Sequence, residues 1–158
     1  MRHTISVLVE NKFGVLARIA TLFAARGFNI DSLAVGETEN PDVSRMTIVV
    51  RGDDRILEQV EKQLNKLVDV IKVSDFLDTS HIERDLMLIK VKVDKGNRSE
   101  ILQIADVFRA NIVDVSSESV IIEVTGDDDK LDAFIKLLRP FGIKEMVRTG
   151  VVAIARGK

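Results

Sequence analysis

ISVLVENKFGVLARIATLFAARGFNIDSL, residues 5–33, carries three elements and the joints between them. Ile5 to Glu10 reads as a strand, and Asn11 and Gly14 mark a short polar turn. Leu16, Ile19, Ala20 and Phe23 then recur at helical spacing. A second strand is entered through Arg26-Gly27-Phe28-Asn29-Ile30. The order brings a helix N-terminus and two asparagines toward one place, and exposed N–H groups with the helix dipole favour a carboxylate there. The stretch therefore predicts a site for a small anion or zwitterion.

Bulk properties exclude several classes. At 158 residues and 46% hydrophobic content, the chain can build one core or two small ones. Its longest apolar runs are of strand length, far short of the roughly 20 residues a membrane span requires. No charged start followed by an apolar run marks a signal peptide, so a soluble, cytoplasmic protein without membrane contact is expected. Cysteine is absent, which removes disulfides, thiolate metal sites and cysteine nucleophiles. The net charge of −2 argues against nucleic acid as a partner.

An internal repeat organises the rest. Three further helical stripes follow the first: Ile56, Val60, Leu64, Leu67; Ile101, Ile104, Ala105, Phe108; and Leu131, Phe134, Ile135, Leu138. Between the helices lie β-rich runs at 30–38, 46–51, 68–76, 86–93, 112–116, 120–125 and 143–154, the last broken near Thr149-Gly150. The order strand, helix, strand, strand, helix, strand is thus given twice. Arg26-Gly27-Phe28-Asn29-Ile30 is echoed by Arg109-Ala110-Asn111-Ile112, and Gly52-Asp53-Asp54 by Gly126-Asp127-Asp128. The first landmarks are 82 positions apart and the second 74, so the second half lacks 8 residues between them. The central hairpin must hold the difference.

The fold expected is α+β, two ferredoxin-like βαββαβ domains at 1–77 and 84–158 joined by a linker at 78–83. Each sheet has helices on one face only. Covering the other face and the strand edges calls for a second copy, so a homodimer or higher homo-oligomer is expected.

At this point the residues carry a resemblance. Glu10-Asn11-x-x-Gly14-Val15-Leu16 at the first strand-to-helix turn, with Arg26-Gly27-x-Asn29-Ile30 at the second strand, resembles the ACT domain that senses amino acids. Ser44-Arg45-Met46-Thr47-Ile48, Lys66-Leu67-Val68-Asp69-Val70 and Arg148-x-Gly150-Val151-Val152 extend it. Nearly the whole chain is similar to the small regulatory subunit of acetolactate (acetohydroxyacid) synthase. The resemblance implies a non-catalytic protein with no cofactor or metal of its own. Its partner would be the large catalytic subunit, which carries thiamine diphosphate, Mg and FAD and condenses pyruvate. It further implies activation of that subunit and feedback inhibition by valine or a related branched-chain amino acid. The effector site implied is Asn11, Gly14, Val15 and Leu16 from one chain with Asn29 and Ile30 from its partner.

The chemistry of those residue types suits such a ligand. Backbone N–H groups at 13–16 can receive a carboxylate, and a Cβ at position 14 would stand in the way. Asn11 and Asn29 offer both donors and acceptors to an ammonium and a carboxylate. Val15, Leu16 and Ile30 can receive an isopropyl group. The competing reading makes Asn11 a turn residue and Gly14 a turn glycine. The second half's turn, Asp94-Lys95-Gly96-Asn97-Arg98, lacks the Asn-x-x-Gly order and is not expected to bind in the same way. The aspartates after Gly52 and Gly126 read as helix N-caps rather than metal ligands, and His3 and His81 as surface or strand-edge residues. Phe13 stands where many ACT relatives have proline, adding an exposed aromatic. Three other functions compete: a stand-alone ACT regulator of another enzyme, an acylphosphatase-like hydrolase using Arg18 and Asn29, and an RNA-binding module. The last lacks exposed aromatics between Arg45 and Arg51.

Overall fold

The computed structural model describes residues 2–157. They form two compact units, one made of the chain up to Ile82 together with residues from Val151 onward, the other of Glu83–Gly150. The predicted linker is not a separate element, since a strand already begins at His81.

In the first unit, β1 (Arg2–Glu10), α1 (Val15–Ala25), β2 (Ile30–Glu37), β3 (Val43–Arg51), α2 (Asp54–Asn65) and β4 (Val70–Asp75) follow in order. The strands form an antiparallel sheet in the order β2-β3-β1-β4. Side chains alternate across a strand, so Ile5, Val7 and Val9 share one face with Met46, Ile48 and Val50. Against them pack Val15, Ile19 and Phe23 of α1 and Leu57, Val60 and Leu64 of α2. Of the predicted stripe of α1, Ile19 and Phe23 are buried, while Leu16 and Ala20 are exposed and Val15 is buried instead. This helix is apolar on more than one side, and periodicity alone does not choose between its faces.

The second unit repeats the plan with β5 (His81–Lys92), α3 (Arg98–Val107), β6 (Asn111–Val115), β7 (Ser119–Gly126), α4 (Asp128–Leu138) and β8 (Ile143–Arg148), a 3-10 turn preceding β8. Its strand order is β6-β7-β5-β8. Met87, Ile89 and Val91 pack with Ile101, Ala105, Leu131, Phe134 and Leu138. The missing residues fall in the central hairpin as expected. Both strands are shorter, β6 having 5 residues against 8 in β2 and β7 having 8 against 9 in β3. The aspartates are caps: Asp53 accepts from the Ile56 N–H at 3.1 Å and Asp127 from the Lys130 N–H at 2.9 Å.

Gly150, at φ +88°, turns the chain out of β8 toward β9 (Val152–Ala155). Residues from Val151 onward return to the first unit and lie on its sheet face opposite the helices. The Val151 N–H donates to Ser32 Oγ at 3.0 Å, and the Arg156 N–H to the Ser80 carbonyl at 2.9 Å. Thr4, Ser6, Thr47 and Val49 on that face are buried. The sequence reading left this cover to a second copy; the C-terminal strand, which it placed with the second domain, also pairs with β5. Within one chain, the C-terminal segment already supplies part of the cover.

One titratable group is buried against expectation, and a second, partly buried, is perturbed. His3 is 3% exposed, opposite Val50 in the sheet, with its Nε2 3.0 Å from the Gly52 carbonyl oxygen. Neither surface nor edge describes it. Glu61 of α2 lies beside Asp75 of β4; its burial and the hydrogen bond and negative charge of Asp75 push its carboxyl up to about 7. The folded chain thus holds this proton more tightly than the unfolded one. The resulting stabilisation is present at acid pH and is lost as pH rises from the ordinary carboxyl range through about 7. Glu61→Gln is expected to leave stability unchanged near pH 5 and raise it at pH 8, by about 1 kcal/mol or less for a partly solvated carboxyl. Denaturant midpoints of both proteins at the two pH values check this.

Candidate functional site

The joint between β1 and α1 is built to leave a helix end open. After Glu10, the Asn11 N–H donates to the Asp42 carbonyl at 2.8 Å, and its side-chain amide donates to the Pro41 carbonyl at 2.9 Å and to Glu37 Oε1 at 3.2 Å. Asn11 therefore fastens the turn to the β2–β3 hairpin, which supports the structural reading for its amide nitrogen. The residues holding it, Glu37 and Pro41, carry no pattern in the sequence that marks them as its partners.

Gly14 occupies the N-cap position of α1 with φ +83°, a left-handed conformation that costs a residue with a Cβ roughly 1–2 kcal/mol. No side chain caps the helix and no acidic residue stands in its first turn. The nearest charges are cationic or paired: Lys12 binds Glu10 at 2.9 Å, which holds its ammonium above the usual lysine range, and Arg18 binds Asp69. An added Cβ at Gly14 would lie 3.3 Å from the Arg18 guanidinium. Phe13 is fully exposed beside this end and Leu16 is 44% exposed. Val15, by contrast, is buried in the core, and its N–H reaches the Lys12 carbonyl at 3.4 Å.

The second unit shows what the same joint looks like when its own chain supplies the anion. There Asp94 Oδ1 accepts from the Gly96 N–H at 2.8 Å and the Asn97 N–H at 2.9 Å, while Asn97 Oδ1 accepts from the Asp94 N–H at 2.8 Å. A carboxylate already satisfies the N–H groups leading into α3. The first unit has no such carboxylate at α1.

Asn29 and Ile30 lie beyond the other end of α1. Asn29 is exposed, its amide donating to Asp31 Oδ1 at 2.9 Å, and Ile30 is half-buried at the start of the edge strand β2. With 11 residues in α1, a rise of about 1.5 Å per residue separates these residues from Gly14 by roughly 16 Å. One chain does not bring the two asparagines together. Arg18 pairs with Asp69 and Asn29 with Asp31, so the Arg18–Asn29 pair needed for a hydrolase of the acylphosphatase type is not formed. Among the described residues no cluster of histidine and acidic side chains suited to a metal is present, and no helix is long and apolar enough to cross a membrane.

A βαββαβ unit with a glycine-opened helix end and an exposed edge strand defines an ACT-type regulatory domain. Residues 5–72 match the family described as the small subunit-like ACT domain of acetohydroxyacid synthase, and residues 84–157 match the small subunit of acetolactate synthase. The chain belongs to the acetolactate synthase small subunits, which are regulatory and not catalytic. It is 62% identical over 157 residues to a probable acetolactate synthase small subunit of Archaeoglobus fulgidus, covering 99% of this chain and 98% of that one. It is 55% identical over 155 residues to the acetolactate synthase small subunit of Mycobacterium bovis, covering 98% and 92%. The crystal structure of the Thermotoga maritima small subunit superposes with a TM-score of 0.92 at 48% identity, covering 100% and 99%.

Proposed function

We propose that this chain binds the large catalytic subunit of acetolactate synthase, raises its activity and confers feedback inhibition by valine or a related branched-chain amino acid. The effector lies between two copies of the chain. Its carboxylate meets the N–H groups at the start of α1 near Gly14, its side chain rests on Leu16, and Asn29 and Ile30 of the second copy close the site from the β2 edge. Asn11 shapes the turn and offers its free carbonyl side to the ammonium. Val15 contributes backbone only. The observation that supports this reading most directly is the uncapped, acid-free first turn of α1, where α2 and α4 carry the capping carboxylates Asp53 and Asp127.

Effector binding changes activity only if the large subunit prefers one arrangement of the pair of chains over another. A coupling of about 1–3 kcal/mol gives a response of about 5- to 150-fold, and by reciprocity the large subunit alters effector affinity equally. Copurification of the two subunits followed by pyruvate condensation assays, with and without valine, tests the proposal. The expected result is a stable complex, higher turnover than the large subunit alone, and loss of that turnover as valine is added. Turnover that is indifferent to the small chain would refute it.

A further inference from the structure

The sheet face beneath the C-terminal segment carries a second cluster of polar groups, all within the first unit. Ser6, Leu8, Arg45, Lys72, Ser74 and Phe76 rise from β1, β3, β4 and the residue after it, and Ile154 and Ala155 roof them, around a cleft of about 210 Å³. The placement follows from the register. Ser6 faces Ser74 and Leu8 faces Lys72 across β1 and β4, while Leu8 also faces Arg45 across β1 and β3, so alternate residues of three strands converge on one patch.

Arg45 is half-buried, and its Nη1 donates to Ser6 Oγ at 3.0 Å, which turns the guanidinium toward this cleft. Among the described residues neither Arg45 nor Lys72 has an ion-pair partner, and no carboxylate lines the cleft. Three other arginines, by contrast, have a carboxylate in reach. Arg18, Arg51 and Arg148 each pair with an aspartate. A partly buried guanidinium beside an ammonium, without a counter-charge, repels cations and favours an anion. Its planar fork suits a carboxylate.

We infer that this cleft binds a small aliphatic carboxylate lacking an ammonium group, of the 2-oxo acid class. The carboxylate pairs with Arg45 and Lys72, the oxo group accepts from a serine hydroxyl, and the short alkyl chain lies on Leu8, Phe76 and Ile154. An amino acid is disfavoured, since its ammonium would meet two cations and no acidic side chain. The volume, below the roughly 300 Å³ at which pockets for larger ligands begin, limits the ligand to a few carbon atoms. The site is separate in residues from the inter-chain effector site at Gly14 and does not depend on it.

Amide chemical shifts of the full chain, titrated with 2-oxobutyrate, 2-aminobutyrate and inorganic phosphate at constant ionic strength, test the inference. Saturable shifts are expected for 2-oxobutyrate at Ser6, Ser74 and Ile154, with little response there to 2-aminobutyrate. Lys72→Ala, at an exposed position, is expected to weaken binding about tenfold or more. Arg45→Gln is expected to do the same while unfolding at the wild-type temperature within a few degrees. Asn29→His should leave this titration unchanged. Absence of saturation, equal shifts with 2-aminobutyrate or phosphate, or unaltered binding by the Lys72 variant would each overturn the assignment.

Discussion

Gly14→Asp is expected to abolish inhibition by valine while the variant still copurifies with the large subunit and still raises its turnover. The new carboxylate would stand at the N-cap of α1 and take the N–H groups proposed for the effector, as the N-cap carboxylates Asp53 and Asp127 do at α2 and α4. The loss expected is the whole effector coupling, about 1–3 kcal/mol or about 5- to 150-fold in the response. The fold should survive, because aspartate tolerates the left-handed conformation better than most residues and Arg18 lies close enough to pair with it. Condensation rates across a valine titration measure the effect. Gly14→Ala separates strain from charge: it carries at least as large a backbone cost and leaves the N–H groups without a competing anion. Full valine sensitivity in the aspartate variant would sink the proposed site.

Arg148→Ala should be the most damaging surface-accessible change to stability. Asp85 is 3% exposed and depends on the guanidinium, with Nε at 3.1 Å and Nη2 at 2.9 Å from Oδ2. The Thr149 hydroxyl adds a hydrogen bond to Oδ1 at 3.0 Å. Asp128 and Asp132 share the same guanidinium at 3.3 and 3.9 Å. Removing the arginine leaves a buried carboxylate among other acids, and breaking a buried pair on one side costs about 3–5 kcal/mol. That is a large part of the roughly 5–15 kcal/mol that holds a typical domain together. Urea unfolding followed by far-UV circular dichroism should show a sharply lower midpoint. Adding Asp85→Asn to the variant should recover part of the loss, and an unchanged midpoint in the single variant would show that the pair is not required.

Residues whose partners lie nearby in sequence were the legible ones. The alternation and helical spacing within each half, the Asp53 and Asp127 caps, and the turn glycines depend on contacts within a few positions, and they fix two βαββαβ units. The shortened hairpin followed from spacing alone. In α1 the spacing found Ile19 and Phe23 but took Leu16 and Ala20 in place of Val15, because the apolar arc of this helix is wider than the part that meets the sheet, so packing decided what spacing left open. His3 was misplaced because one polar residue in a buried strand carries no local sign of burial, although its phase with Ile5, Val7 and Val9 pointed inward. The turn at Asn11 was recognised as chemistry, but its grip on Pro41 spans 30 positions and has no sequence pattern. The effector residues were assembled through resemblance rather than spacing, and the length of α1 explains why: no reading of one chain places Gly14 and Asn29 side by side.

The return of residues 151–156 to the first sheet ties the chain's beginning to its end, with Ser32 and Val151 joined across 119 positions. During synthesis the first unit emerges first, yet its outer sheet face waits for residues 151–156, after the second unit can begin to fold. The N-terminal half is thus started early and finished last. A chain cut at Gly150 would keep its second core whole while the face of its first sheet that carries Thr4, Ser6, Thr47 and Val49 lost the cover that residues 151–156 give it.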